Sequence, residues 1–161
     1  SMASVIKKKH ERTFLLSTTH GGEMCSLGAA NETLNILKEG KVIPKIWDHG
    51  SKLTSSINYI SSSLGLIDNF RIFGVPCSPY FLTNINGKNN LSFRTILLKE
   101  LIKEKIFMPC ISISGSHGDK DVKFLESKFK KILPKIRKIL NKEIKSYHTG
   151  RTIKPVFRKY N

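Results

Sequence analysis

The stretch from Phe14 to Leu37, Phe-Leu-Leu-Ser-Thr-Thr-His-Gly-Gly-Glu-Met-Cys-Ser-Leu-Gly-Ala-Ala-Asn-Glu-Thr-Leu-Asn-Ile-Leu, constrains the fold more than any other part of the chain. An apolar strand ends in Ser17, Thr18 and Thr19, the double glycine Gly21-Gly22 breaks it, and a helix opens at once. Leu27, Ala30, Leu34 and Leu37 recur at helical spacing, with Gly40 placed to stop the helix. Amides at a helix N-terminus have no partner inside the helix and lie at the positive end of its dipole, and glycines let a ligand approach the backbone closely. Such a junction can seat a phosphate on the amides behind Gly21-Gly22, with a threonine hydroxyl beside them as a further donor. The same residues also read as a plain strand–turn–helix joint whose hydroxyls only cap the helix.

Beyond Gly40 the spacing predicts a second helix from Ile43 to Leu64, with Pro44 in its first turn and Gly65 at its end. Phe70–Val75 and Tyr80–Thr83 read as strands, separated by Pro76 and Pro79. A polar turn spans Asn84–Asn90 and contains Asn86-Gly87; a helix follows over Leu91–Lys105. Phe107–Ser114 reads as one more strand, and Gly115–Asp119 as a breaker in which Ser116 or Asp119 is available to cap the last helix. That helix spans Lys120–Lys145, with Pro134 inside it, and the remainder is an extended tail. The order predicts an α+β fold in which a small sheet is covered by helices. Residues 1–13 read as a tag scar (Ser1-Met2) and lead-in, 14–145 as one domain, and 146–161 as the tail.

The charge is the second constraint. The chain of 161 residues carries 28 Lys+Arg against 12 Asp+Glu, a formal net charge of +16. Such a balance raises a stand-alone basic module for nucleic acid or an acidic protein as one reading. The positives of the last helix, however, interleave with an apolar face of Leu125, Phe129, Ile132, Leu133, Ile136 and Leu140, so they serve equally as its solvated side. No aromatic-plus-basic stacking strip is visible in the sequence, and nucleic acid is the less favoured partner. No apolar run approaches the roughly 18 residues a membrane-spanning helix needs, and the lead-in lacks the apolar centre of a secretory signal. The expectation is a cytoplasmic protein without a membrane partner.

Cys25, Cys77 and Cys110 are an odd number without C-x-x-C spacing, and read as buried free thiols. The five histidines show no i, i+4 pairing, so no metal site is expected. His20 reads as a turn residue and His117 as a capping or structural one. No Cys–His pair is oriented by a third group, and no phosphate loop ending in Gly-Lys-Ser/Thr occurs. No catalytic residue is assigned.

Ser-Thr-Thr-His-Gly-Gly-Glu followed by Ser-Leu-Gly-Ala-Ala resembles the class III pyridoxal-phosphate aminotransferases, and within them the glutamate-1-semialdehyde aminomutases. Leu101–Pro109 with Ser114-Gly115-Ser116-His117 is similar to the family's stretch leading to its closing helix, and Gly150–Arg158 to a tail of some relatives. Position 23 departs from the family's pattern, carrying Glu23-Met24 where Asn-Pro is commoner. The resemblance covers about residues 14 to 160 and implies the small C-terminal domain of fold-type I enzymes. It implies that Thr19 reaches the pyridoxal 5'-phosphate of a partner subunit, with Ser17, Thr18, Gly21 and Gly22 as neighbours. It implies further partners: the enzyme's own large domain, a homodimer, and a small amino-acid or carbonyl substrate. Amino-group transfer needs a Schiff-base lysine, which in the family lies upstream of this stretch, and no lysine here stands in the family's lysine motif. The chain is therefore expected to be inactive alone and not to hold the coenzyme stably.

Overall fold

The computed structural model of the chain describes residues 23–141 and 150–154. Two units divide it, Ser1–Lys41 and Val42–Asn161. The first contains helix α1, Met24–Lys38, which stops before Gly40 as its sequence predicts and buries no residue along its length. Its apolar stripe lies in the open: Leu27 and Leu34 are both more than half exposed.

The second unit is α+β, as expected. Its described elements are α2 (Val42–Ser63), β1 (Phe70–Phe73), β2 (Tyr80–Ile85), β3 (Lys88–Asn89), α3 (Leu91–Lys103) and α4 (Asp119–Leu140). The sheet is antiparallel in the order β1-β2-β3, with Phe70 opposite Thr83, Phe73 opposite Tyr80, and Ile85 opposite Lys88. Alternation aims Phe70, Ile72, Phe81 and Thr83 at the interior. There Phe129 of α4 stacks on Phe70 at 5.8 Å between ring centres and leans on Phe81 at 6.4 Å. Ile57 of α2, Leu97 of α3 and Leu133 of α4 complete a core from which solvent is excluded.

Helix α2 also stitches the free edge of the sheet. The Asn58 side-chain amide donates to the Ile72 carbonyl at 2.9 Å and accepts from the Ile72 N–H at 2.8 Å. Ser61 Oγ donates to the Phe70 carbonyl at 2.5 Å. Two side chains thus satisfy edge groups that would otherwise be buried without partners or left to template another strand. Gly50 brings α2 against the β1–β2 connection: a Cβ there would sit 1.8 Å from the Pro76 carbonyl oxygen. Segment 150–154 lies along the start of α3, where the Ile153 N–H donates to Thr95 Oγ1 at 3.0 Å.

Four local expectations are corrected. The Asn84–Asn90 turn is tighter than predicted: Asn86 and Gly87 take φ of 51° and 74°, the double left-handed conformation of a two-residue hairpin, so Lys88-Asn89 returns as a third strand. Phe107–Ser114 forms no strand. Pro109 has no amide to donate, its carbonyl is taken by Arg94 Nη2 at 3.2 Å, and Ile106 and Ile111 instead anchor an irregular segment to the core. Helix α4 is capped neither by Ser116 nor by Asp119; Gly118 is its N-cap, and its N–H donates to Asp121 Oδ2 at 2.8 Å. The cysteines are free but not buried: Cys25 and Cys110 are exposed and Cys77 is half-buried, Cys25 lying on a helix with no buried residue and Cys110 in the irregular segment. The strand expected from Phe14, the extension of the last helix to Lys145 and the end of the tail lie outside the described residues.

Replacing Asn58 by leucine keeps the bulk and removes both edge bonds. Asn58→Leu is expected to lower the unfolding free energy by about 2–3 kcal/mol, read from urea denaturation; a loss under about 0.5 kcal/mol would contradict the edge role.

Candidate functional site

Thr19, Thr18, Ser17, Gly21 and Gly22, the residues of the sequence-predicted anion seat, lie outside the described residues. The described end of that seat is the start of α1. Glu23 is its N-cap in extended conformation, and the Leu27 N–H makes the first helical bond to the Glu23 carbonyl at 3.0 Å. The first-turn amides therefore have no acceptor within the helix. The first turn carries no acidic residue, but the Glu23 side chain folds over it, accepting from Ser26 Oγ at 3.2 Å. The helix dipole at this start favours an anion, and Glu23 opposes one placed directly above it.

A second feature, wholly within residues 42–161, escaped sequence reading. Between the first half of α2, the segment 106–113 and the start of α4 lies a half-open cleft of about 440 Å³. Its walls are mainly apolar, with Leu53, Met108, Ile111, Ile113, Phe124 and Leu125 prominent, and His49, His117 and Asp121 supply polar groups. Phe107 stands at its mouth, 84% exposed. His49 belongs to the buried side of α2 along with Gly50, Leu53 and Ile57. The apolar period of that helix could have flagged it, since Asp48-His49-Gly50 places an imidazole on a stripe otherwise built of Leu, Ile and Gly.

Beside His49 an ionic clasp ties the start of α4 to α2. Lys52 Nζ lies 2.7 Å from Asp48 Oδ2 and 3.1 Å from Asp119 Oδ1. Hydrogen bonds to Asp48 and then Asp119 raise the Lys52 pKa above the ordinary 10.5. The bond from Lys52 lowers that of Asp119 below 3.8. The same pattern recurs between α3 and α4: Lys128 bonds Glu104 at 3.0 Å and lowers its pKa, and Lys135 lies 3.9 Å from Glu100. Within α4, Lys130 pairs with Glu126 at 2.6 Å. Part of the positive face of α4 is thereby spent on ion pairs. His117 has the structural role expected of it, its Nδ1 accepting from the Ser114 N–H at 3.0 Å. Among the described residues no three His, Cys, Asp or Glu side chains converge as a metal requires. No described helix is long and apolar enough to cross a membrane.

No family model, curated protein or solved structure matches the chain.

The clasp sets a pH dependence. Asp119, depressed when folded, stabilises above its unfolded pKa near 3.8, and that contribution is lost as pH falls through the lower folded value. Lys52, raised when folded, stabilises below 10.5, and its share is lost as pH rises through the higher folded value. Denaturation midpoints measured from about pH 5 down to about pH 2 are expected to fall less for Asp119→Asn than for the unsubstituted chain. Equal slopes would show that the clasp contributes nothing.

Proposed function

We propose that the chain is the small C-terminal domain of a pyridoxal-phosphate enzyme of the class III aminotransferase or aminomutase kind, acting on a small amino-acid or carbonyl substrate. The observation that carries this reading is the motif from Ser17 to Ala30, whose hydroxyls and double glycine run directly into a helix beginning at Met24. Two further features support it. The second unit has the α+β character that the resemblance implies. The stripe of α1 is apolar yet exposed, as suits a helix that packs on a domain carrying the coenzyme lysine.

The coenzyme, when bound to such a lysine, supplies the electron sink for amino-group transfer. The role of this chain would be anchoring: Thr19 would donate to the phosphate, the amides of Gly21 and Gly22 and the α1 dipole would add to it, and Ser17 and Thr18 would be its neighbours. Glu23, folded over the first turn toward Ser26, disfavours a phosphate directly above that turn, so the seat lies toward Thr19 in this reading. The alternative, a stand-alone basic module, draws on the +16 charge, but Lys128, Lys130 and Lys135 already have carboxylate partners.

The genomic reading frame upstream of Ala3 is expected to encode a lysine-bearing large domain. In that assembled enzyme Thr19→Val is expected to weaken coenzyme retention about tenfold or more, the loss of one hydrogen bond to a charged group, measured by equilibrium dialysis. A visible imine band from the 161-residue chain alone that survives dialysis would contradict the proposal.

A further inference from the structure

The apolar cleft of the second unit carries an inference independent of the coenzyme reading. Its two histidines have their tautomers set by backbone groups. His49 is buried and its Nδ1 lies 2.8 Å from the Lys45 carbonyl, which can only accept, so Nδ1 bears the hydrogen. In the neutral ring that tautomer leaves a lone pair at Nε2, on a side chain that lines the cleft. Asp119 Oδ1, 3.8 Å from Nε2, is also an acceptor and cannot fill it. His117 is the reverse. Its Nδ1 accepts from the Ser114 N–H at 3.0 Å, so its neutral ring carries the hydrogen on Nε2 and offers a donor.

The charges around His49 narrow the ligand class. The carboxylates of Asp48 and Asp119 are both held by Lys52, and that of Asp121 by the Gly118 N–H. Two carboxylates share one lysine and the third has only an amide, so the local charge disfavours an anion, while the mainly apolar walls disfavour a strongly hydrated cation. Lys45, the other cation of this turn, is turned to the Gly115 carbonyl at 2.7 Å. What fits is a neutral polar group that can give a hydrogen to His49. The walls ask for a flat apolar body: Phe107 and Phe124 are 84% and 50% exposed, and Met108 lies beside them. A volume of about 440 Å³ admits a molecule of one or two rings.

We propose that this cleft is a binding site for a neutral, hydroxyl-bearing aromatic molecule, with its ring on Phe107 and Phe124 and its hydroxyl donating to His49 Nε2. The ring buries the exposed phenylalanine surface, and the hydroxyl supplies the donor that no described residue brings to Nε2.

The test titrates 4-methylphenol and toluene separately into the full ¹⁵N-labelled chain at about pH 8, where imidazole is neutral, following backbone amides and imidazole nitrogens. Saturable shifts are expected over Phe107–Ile113 and at His49 Nε2, with 4-methylphenol bound about fivefold more tightly than toluene, the worth of one ordinary hydrogen bond. His49→Phe is expected to abolish that preference and His49→Gln, which keeps an acceptor, to retain part of it. Phe107→Ala, at an exposed position that leaves the core intact, is expected to weaken both probes. Absence of saturable binding, equal affinity for the two probes, or a preference that survives His49→Phe would overturn the proposal.

Discussion

The stacking of Phe129 on Phe70, with Phe81 against both, is the contact on which the second unit depends. It joins the last long helix to the first two strands across 48 to 59 positions of chain, a non-local contact whose loop closure is costly. An isolated sheet of few strands needs one face covered; α4 brings Phe129 onto Phe70 and Phe81, with Leu133 and Ile136 buried in the same core. Each of those side chains is worth roughly 1.5–3 kcal/mol of burial. The positive charge of α4 follows from the same geometry, because the faces away from the sheet remain for lysines, and part of them find carboxylates on α3.

Helix α2 ties this core to the surface. Its apolar stripe gives Leu53, Ile57 and Ile60 to the interior, while Asn58 and Ser61 satisfy the edge of β1 and Gly50 admits the Pro76 carbonyl. One turn earlier the same stripe presents His49 to the cleft. The placement of that imidazole is thus a consequence of packing, and the clasp of Lys52 with Asp48 and Asp119 holds the start of α4 alongside it.

Much of this architecture is legible in the sequence, for identifiable reasons. The helices are visible because Leu and Ile recur at three- and four-residue steps and glycines lie at their ends. The paired strands are visible because Phe70-Arg71-Ile72-Phe73 and Tyr80-Phe81-Leu82-Thr83 are β-prone and set apart by prolines. What is not legible is tertiary. The Phe107–Ser114 run is apolar enough for a strand, but its isoleucines serve the core one at a time around Pro109. The short return strand depends on a hairpin in which Asn86 adopts a left-handed φ. The cleft is invisible beforehand because its two histidines are 68 residues apart and their tautomers are set by carbonyl and amide groups that only the fold brings near. The anion seat is the converse case, legible as residue order at Thr19 and Gly21-Gly22 and outside the described residues.

The second unit is held by its own core, whereas among the described residues of the first none of α1 is buried. A helix of 15 residues without tertiary packing is marginal in water, so the two differ in what keeps them folded. Native-state hydrogen exchange on the full chain reads this difference directly. Amides of α2, β2 and α4 are expected to exchange only through global unfolding, and those of α1 orders of magnitude faster. Protection of α1 equal to that of α4 would show that its stripe is covered within this chain, and would contradict the proposal that it packs on a coenzyme-bearing domain.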